Sequence, residues 1–352
     1  MNATPGPQSP GPPQPPGPQP PGPPQAAGGW GTCAVSVRYG GRLALDQVTF
    51  RALPGQVSAV VGGDGAGRTT LLRCLSGAVA PSQGTVTRPP RIQTGYLAAG
   101  SGTYPDLTVA ENLDFRATAY RIPAAVAGPR IRDYLERAGL LAVRDRLAGR
   151  LSGGMRQKLG VIAAMLHHPD LLVLDEPTTG VDPVSRADLW SLIARAAAEG
   201  AAVVFATSYL DEAERAAHVL VLADGRELAA GSPEQIVAAM PGRLQAATAR
   251  PAGPAGARSW RRDGRWRVWS PDGAGDGPVD AAEPVQPDLQ DAVTVAILAR
   301  EHDHERDRDR EHDREHDREH DRDREHEPAS QPGGVPASQS GRDPLPPARK
   351  ER

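Results

Sequence analysis

The chain has 352 residues, of which 36 are proline and 39 are glycine, and these are concentrated towards its ends. The length allows one large or two smaller domains, but we expect the Pro- and Gly-rich ends to contribute little to a core. The formal net charge of -3 gives no overall basic character of the kind that favours nucleic-acid binding. The two cysteines, Cys33 and Cys74, provide no disulfide framework, so we expect small buried thiols in a reducing compartment.

The N-terminal segment is proline-rich. Residues 1–25 lack the basic region and apolar core of a signal peptide. From Pro5 to Pro24, proline recurs every second or third residue, which fixes φ and removes backbone donors. Residues 1–29 are therefore predicted to be a disordered leader, either simply solvated or serving as a PxxP ligand. Nowhere does the chain approach the ~18 consecutive apolar residues of a membrane span, so we expect a cytoplasmic chain that reaches a membrane only through a partner.

Residues 30–241 have the pattern of an α/β domain. Apolar runs of strand length, at Val57–Val61, Leu171–Leu174 and Val203–Phe205, alternate with stretches rich in alanine and leucine. Continuous apolar runs of this kind are typical of strands buried on both faces of a parallel sheet. The predicted fold class is therefore α/β with a mostly parallel sheet.

The C-terminal part divides into an extension and a tail. In residues 242–300, Arg265–Trp269 alternates like a strand and Leu289–Leu298 has the pattern of a helix. From Glu301 to Glu327 the chain consists almost entirely of His, Asp, Arg and Glu, in part as a four-residue repeat. A helix would stack like charges there, so residues 301–352 are predicted to be disordered. The same stacking would align three histidines, which leaves weak binding of a divalent transition metal open: His312, His316 and His320.

A glycine-rich segment lies between the apolar run Val57–Val61 and the helical pattern Leu71–Leu75. It consists of Gly62, Gly63, Asp64, Gly65, Ala66, Gly67, Arg68, Thr69 and Thr70. A strand, a glycine-rich turn and a helix in this order predict a phosphate-binding loop, in which backbone amides converge on phosphate oxygens at a helix N-terminus. The Thr69 hydroxyl is then placed to bind Mg²⁺. Because Arg68 replaces the usual lysine with a larger planar group, we expect nucleotide binding to survive and transition-state stabilisation to suffer.

The apolar run Leu171–Leu174 ends in two acids, Asp175 and Glu176. In a phosphoryl-transfer site this arrangement puts Asp175 beside a phosphate-bound Mg²⁺ and Glu176, the candidate catalytic residue, beside the attacking water. Shortly before them, Leu151–Gln157 opens a predicted helix, with three small residues at its start: Ser152, Gly153 and Gly154.

Together, the loop at Gly62, the segment Leu151–Gln157 and the acids at 175 and 176 resemble the motifs of the ABC ATPase family, over about Val35–Met240. The resemblance implies a P-loop domain that binds ATP and Mg²⁺, with an antiparallel β-subdomain and a helical subdomain over about residues 100–165. It also implies that two such domains sandwich two ATP molecules head to tail, each held by one phosphate loop and the other domain's signature at Ser152. Pro177–Asp182 resembles the loop that couples the two sites.

Two further segments refine this resemblance. Tyr39 stands where the family stacks an aromatic ring on adenine, although an exposed strand tyrosine would look the same. Tyr104–Leu113 and Asp175–Arg186 resemble drug- and antibiotic-exporter ATPases that serve ABC-2-type permeases, and Pro287–Ala292 resembles the end of their C-terminal segment. The expected partners are therefore such a permease and a second ATP-binding subunit, at the inner face of the cell membrane.

Two more positions depart from the family pattern. Gly95–Ala99 aligns with the stretch that ends in the glutamine that coordinates magnesium, and here that position is Ala99. Ala206–Ala213 matches the switch region except that its histidine, which contacts the γ-phosphate, is Ser208. An imidazole cannot be replaced by a hydroxyl in that role. With Arg68, three positions that act on one ATP are altered, so we expect slow turnover at this site and a heterodimer rather than a homodimer.

Two other functions remain open. One is a non-hydrolysing ATP-binding regulator without a transport role. The other is an ABC protein of translation or DNA repair, which the single cassette, the missing heptad insertion and the lack of a basic groove disfavour.

Overall fold

A computed structural model of the chain describes residues 28–271, 282–305 and 308. They fall into two units, Met1–Arg300 and Glu301–Arg352. The strands are β1 (Trp30–Tyr39), β2 (Arg42–Ala52), β3 (Val57–Gly62), β4 (Gln83–Thr87), β5 (Thr94–Leu97), β6 (Leu171–Asp175), β7 (Ala202–Thr207), β8 (His218–Ala223), β9 (Arg226–Gly231), β10 (Arg243–Ala247), β11 (Ser259–Arg262), β12 (Arg265–Ser270) and β13 (Glu283–Pro284). The helices are α1 (Arg68–Ser76), α2 (Val109–Ala119), α3 (Ala124–Arg137), α4 (Gly153–Met165), α5 (Pro183–Ala198), α6 (Leu210–Ala213), α7 (Pro233–Ala238), α8 (Gly253–Ala257) and α9 (289–300).

The central sheet has six strands in the order β5-β6-β7-β3-β8-β9. All neighbours are parallel except β8 and β9, which form an antiparallel pair. Every residue of β6 and β7 is buried, which explains their unbroken apolar sequences. The predicted mostly parallel sheet and its three predicted strands are confirmed, since the apolar runs lie in β3, β6 and β7.

A second sheet, β2-β1-β4, is antiparallel. Its apolar side chains, among them Val35, Leu45 and Phe50, pack with Leu71 and Leu75 of α1 in one core cluster. The family resemblance implied this antiparallel β-subdomain, and the structure contains it.

The expectation that both cysteines are buried is wrong for Cys33. Cys74 is buried in α1, but Cys33 is exposed in β1. The register of β1 against β2 shifts between Thr32 and Val35, where Ala34 has a φ of 48°. Because a bulge of this kind reverses the alternation of side chains along a strand, Cys33 faces solvent.

Helices α2, α3 and α4 lie in sequence between β5 and β6. A capping box of Thr108 and Glu111 starts α2, with the Glu111 amide donating to the Thr108 hydroxyl at 3.1 Å. Leu113, Ile131 and Leu159, one from each helix, belong to a core cluster that also contains Leu174 of β6. The segment that carries the signature is therefore packed against the same core as the strand that carries the acids.

The C-terminal part of the first unit contains a four-stranded antiparallel sheet, β11-β12-β10-β13. Trp269 and Leu244 from this sheet pack with Val295 of α9, and Arg262 forms ion pairs with Asp288 and Asp291. The predicted strand at Arg265–Trp269 and the predicted helix at Leu289–Leu298 are both confirmed.

In the second unit, residues 301–305 are helical, so the expected disorder is wrong for them. The stacking of like charges that argued against a helix arises further along, at pairs such as Arg314 and Arg318. The repeat beyond residue 308, including the three aligned histidines, and the leader up to residue 27 lie outside the described residues. In the described part, no cluster of three or more His, Cys, Asp and Glu side chains could hold a metal ion. None of the described helices combines the length and apolar character needed to span a membrane.

Candidate functional site

The phosphate loop runs from the end of β3 to the start of α1. Gly67 has a φ of 104°, and a Cβ there would lie 2.7 Å from the Ala44 carbonyl oxygen, so only glycine fits. Gly67 caps α1 without a side-chain hydrogen bond, and the first turn of α1 contains no acidic residue. The amides at this helix N-terminus are therefore available to an anion, which is what a nucleotide phosphate requires.

A cleft of about 690 Å³ opens beside this loop. It brings together most of the predicted site residues, which come from distant parts of the chain. Its lining consists of Tyr39, Arg42, Leu43, Ala44, Gly63, Asp64, Gly65, Ala66, Gly67, Arg68, Thr69, Thr70, Ala99, Asp175, Glu176 and Asp224. Arg42, Leu43, Ala44 and Asp224 were not predicted from the sequence, because no motif marks them.

Five predicted site residues do not line this cleft: Gly62, Ser152, Gly153, Gly154 and Ser208. Gly62 ends β3, where a Cβ would lie 2.4 Å from the Leu222 carbonyl oxygen, so its glycine is required by packing. Ser208 directly follows β7 and is exposed.

Tyr39 lies at the end of β1 with 45% of its surface exposed. It shares the wall of the cleft with Arg42, Leu43 and Ala44. A half-exposed ring at this place offers a flat face to a nucleobase. The position is therefore compatible with the predicted stacking on adenine.

Asp175, at the end of β6, is 1% exposed. Burial raises its pKa, Glu176 raises it further, and a hydrogen bond from the Thr69 side chain opposes the rise. Its Oδ2 atom is buried and makes no hydrogen bond within the described residues. A buried carboxylate with a free oxygen beside a threonine hydroxyl fits Mg²⁺, which prefers hard oxygen ligands.

Glu176 has a φ of 52°, in the left-handed region that non-glycine residues rarely adopt. Its conformation is held from three sides. The Glu176 amide donates to the Ala206 carbonyl at 3.0 Å, and Gln157 Nε2 donates to the Glu176 carbonyl at 3.2 Å. The Thr179 hydroxyl donates to the Glu176 carboxylate at 2.6 Å. Such strain persists only where the surroundings impose it, and it is common at catalytic positions.

Gln157 was missed as a site residue from the sequence. It lies in α4, the helix that the signature opens, and is buried although polar. That combination is the signal that could have identified it.

Arg68 lies inside the cleft with 9% of its side chain exposed. Its Nη1 atom is 2.7 Å from Glu176 Oε1, and its Nη2 atom is 3.7 Å from Asp64 Oδ1. The guanidinium is therefore close enough to form an ion pair with the candidate catalytic carboxylate, although Nη1 lacks the geometry of a hydrogen bond. Because Arg68 is paired with Glu176, a phosphate that enters the cleft has to compete with Glu176 for the guanidinium.

The signature lies apart from this cleft. The Ser152 hydroxyl caps α4 by accepting a hydrogen bond from the Met155 amide at 3.3 Å, and both Ser152 and Gly153 are exposed. A Cβ on Gly154 would lie 3.2 Å from the side chain of Ser185 and 3.4 Å from that of Asp182. The signature is thus packed on Asp182, in the loop that follows Glu176, and on the first turn of α5, and none of its three residues lines the cleft.

A glycine-rich phosphate loop between a strand and a helix, with two acids at the end of a neighbouring strand, defines a P-loop nucleotide-binding protein. Comparison with known proteins narrows this class. The family described as "ABC transporter" matches residues 45–179. The chain is 40% identical over 199 residues to "Probable multidrug ABC transporter ATP-binding protein YbhF" of Escherichia coli (strain K12), covering 54% of this chain. Since the match covers 34% of that protein, the chain spans about a third of this relative's length.

A second relative matches along most of its length. "Nod factor export ATP-binding protein I" of Burkholderia pseudomallei (strain 1710b) is 35% identical over 216 residues, which cover 58% of this chain and 71% of that protein. The chain therefore belongs to the ABC transporter family, as an ATP-binding protein. Members of this family bind ATP, typically with Mg²⁺, and hydrolyse it.

Solved structures agree with this assignment. One described as an "ATP binding subunit of ABC transporter" aligns with a TM-score of 0.56 and 28% identity, over 59% of this chain and 91% of that one. The ATP-binding cassette MJ0796, a dimer in a post-hydrolysis state with ADP and Pi, aligns with a TM-score of 0.53. Its alignment covers 58% of this chain and 98% of that one at 21% identity, so it supports the fold alone. The fold class expected from the resemblance is confirmed.

Proposed function

We propose that this chain is the ATP-binding subunit of an exporter, coupled to a separate ABC-2-type membrane permease at the inner face of the membrane. Its own site binds ATP and Mg²⁺ and hydrolyses slowly, while its signature completes the site of a partner ATP-binding subunit. The names of two relatives, one a probable multidrug transporter protein and one an export protein, support the exporter assignment.

The observation that carries the proposal is the contrast within one cleft. The parts that hold a nucleotide are present: the loop amides, Tyr39, and the Thr69 and Asp175 oxygens. The parts that stabilise charge in the reaction are altered. Arg68 is paired with Glu176, and Ala99, which lines the cleft, has no side-chain oxygen to offer a metal.

The chain's residues have separable roles in this reaction. Glu176 orients the attacking water and accepts its proton. Asp175 and Thr69 would hold the metal, which would supply positive charge to the phosphates. Arg68 can neutralise phosphate charge only when its ion pair with Glu176 is open. Each lost electrostatic contact in such a site costs about 10²-fold or more in rate. Three altered positions are therefore enough to make turnover slow without preventing binding.

The position of the signature supports a partner with a more complete site. Ser152 and Gly153 are exposed at the N-terminus of α4 and do not line the chain's own cleft. A helix N-terminus of this kind attracts the phosphates of a nucleotide held by another subunit. A homodimer would contain two slow sites, whereas a heterodimer keeps one functional site, which makes the heterodimer the better arrangement.

The test is steady-state phosphate release by the purified chain with Mg-ATP, beside a triple variant with Arg68→Lys, Ala99→Gln and Ser208→His. A nucleotide titration accompanies both. We expect tight ATP binding with little turnover in the wild type and clear turnover in the triple variant. Adding Glu176→Gln to the triple variant is the matched control and should abolish the restored activity.

Brisk hydrolysis by the wild type would overturn the slow-site proposal and favour a homodimeric exporter ATPase. The alternative function, a non-hydrolysing ATP-binding regulator, predicts a different result. In that case turnover stays absent in the wild type and also when it is mixed with candidate partner subunits.

A further inference from the structure

Glu212 is a fully buried acid that the catalytic roles described above do not use. It lies in α6 with 0% of its surface exposed. Its Oε2 atom accepts two hydrogen bonds, from the Thr178 hydroxyl at 2.8 Å and from the Thr207 hydroxyl at 2.9 Å. One carboxylate oxygen therefore joins two segments that are far apart in the sequence.

Both segments carry residues of the site. Thr178 follows Glu176 by two positions, and Thr207 directly precedes Ser208. Thr178 lies shortly after β6, and Thr207 is the last residue of β7. These two strands are neighbours, with Asp175 paired to Ala206. The Thr207 hydroxyl also accepts a hydrogen bond from the Tyr209 amide at 3.0 Å. Glu212 therefore fixes the segment after the catalytic carboxylate relative to the backbone on both sides of residue 208.

A third element is attached to the same acid. Arg186 Nε, in α5, lies 3.6 Å from Glu212 Oε1, and the Arg186 guanidinium carbon lies 5.2 Å from the centre of the Tyr209 ring. Arg186 therefore contacts both the buried acid and the exposed Tyr209 ring. It links α5, which starts after the coupling loop, to the same network.

The energetics argue against a purely stabilising role for Glu212. Burying a carboxylate costs several kcal/mol unless charge pairing and hydrogen bonds offset it. Here Oε1 makes no hydrogen bond within the described residues, and the nearby arginine nitrogen is beyond hydrogen-bond distance. An apolar side chain would fill this space at lower cost, so what the acid contributes is geometry, the fixed spacing of the two threonine hydroxyls.

We propose that Glu212 is a positioning residue for ATP hydrolysis. Through Thr178 and Thr207 it sets the spacing between Glu176, which acts on the attacking water, and the segment around residue 208. The proposal deepens the proposed function, since the spacing matters only for a chain that turns over ATP. The physical link itself exists whether or not the wild-type site is slow.

The link is tested first without catalysis, by hydrogen–deuterium exchange on the full chain. Thr178→Val keeps the side-chain shape and removes one hydroxyl from the 176–180 segment. We expect the amides of residues 207–210 to exchange about fivefold faster, the effect of losing roughly one hydrogen bond. The matched control is Thr32→Val, which removes a buried hydroxyl that donates to the Val48 carbonyl at 3.1 Å in β1. It should leave residues 207–210 unchanged, and a Thr178→Val effect confined to 176–180 would overturn the link.

The effect on catalysis is measured in a background that hydrolyses ATP. This background is the wild type or, if only it is active, the triple variant with Arg68→Lys, Ala99→Gln and Ser208→His. There, Thr178→Val and Glu212→Gln should each lower kcat by about 10- to 100-fold, as expected for slight misplacement of reacting groups. The affinity for ATP should stay within about twofold, because neither residue lines the cleft.

The double variant should lose little more than either single variant, because both changes break the same link. Equal losses of kcat and ATP affinity, or fully additive losses, would show a structural role only. If neither background hydrolyses ATP, the proposed function fails, and the exchange experiment still decides whether Glu212 couples the two segments.

Discussion

The ion pair between Arg68 and Glu176 makes a quantitative prediction about ATP binding. If the pair has to open when phosphate enters, it lowers the affinity for ATP in the wild type. The perturbation is a double-mutant cycle: Arg68→Met, Glu176→Gln and both together. Each variant keeps most of the side-chain volume and removes one charge.

The size of the effect follows from the geometry. The paired atoms are 2.7 Å apart, with the Arg68 side chain 9% and the Glu176 side chain 26% exposed. At an effective dielectric constant of ~20 the Coulomb energy of two unit charges ~4 Å apart is about 4 kcal/mol, and exposed pairs contribute about 0.2–1 kcal/mol. For this half-shielded pair we expect a coupling of about 1–2 kcal/mol, or roughly 5- to 30-fold in affinity.

The sign is fixed by comparing two backgrounds. With Arg68 present, Glu176→Gln removes both the repulsion between Glu176 and the phosphates and the pair that competes with them. With Met at position 68, only the repulsion is removed. The gain in affinity from Glu176→Gln should therefore be larger, by the coupling energy, when Arg68 is present.

The assay is a titration with a fluorescent, non-hydrolysable ATP analogue, so that turnover does not contribute. Arg137→Met serves as the control, because Arg137 pairs with Asp133 at 2.8 Å on the exposed surface of α3. It should leave the affinity unchanged. Additivity of the two site changes within about 0.5 kcal/mol would refute the reasoning, since it would mean that Arg68 keeps its contact with Glu176 when nucleotide is bound.

Three further predictions concern the pH, the metal and the signature. Burial lowers the pKa of His167 from 6.5 to about 4. Between these pH values the histidine is protonated in the unfolded chain but neutral in the folded chain, so the free energy of unfolding falls as the pH falls. We expect about 2 kcal/mol of the stability present above pH 6.5 to be lost at pH 5. His167→Phe, which keeps the stack on Tyr120, should remove this loss in urea unfolding at pH 7.5 and 5. Because burial raises the pKa of Asp175, its carboxylate should become protonated at a higher pH than an ordinary aspartate, and the Mg²⁺-dependent increase in ATP affinity should be lost there as the pH falls. Asp175→Asn should abolish this increase, measured by ATP titrations with and without Mg²⁺. Gly154→Val should prevent ATP-driven dimerisation, measured by light scattering, because the added side chain displaces the signature from Ser185. The affinity for ATP should stay within about twofold, because Gly154 does not line the cleft.

The parts of the fold that were predictable from the sequence are those whose signals are local. The strands β3, β6 and β7 appear as apolar runs, and the phosphate loop appears as a strand, glycines and a helix in order. The exposure of Cys33 was not predictable in this way, because a register shift in β1 determines it and no residue type marks that shift. The helix at residues 301–305 was not predictable from the repeat, because the like charges that disfavour a helix recur further along the chain.

The contacts within the site were less predictable than its members. The sequence identifies Arg68 and Glu176 separately, but the pairing joins residues that are far apart in the chain. The contacts of Gln157 with Glu176 and of Thr178 with Glu212 also span long separations, 19 and 34 positions, and no motif assigns a role to Gln157 or Glu212. Motifs identify the residues that meet a ligand, whereas long-range packing determines which side chains hold those residues in place.

The three altered positions do not carry equal weight for slow hydrolysis. Among 40 lysine and arginine residues, lysine occurs only at 158 and 350, so arginine at position 68 agrees with the composition of the whole chain. Lysine is nevertheless kept at buried Lys158, which pairs with Asp188 at 2.9 Å, so the composition does not impose arginine everywhere. Arg68 also keeps its positive charge, whereas Ala99 and Ser208 stand where the family resemblance places an amide and an imidazole, and neither side chain can perform those tasks. The argument for a slow site therefore rests mainly on Ala99 and Ser208, and Arg68 contributes through its pairing with Glu176 rather than through a loss of charge.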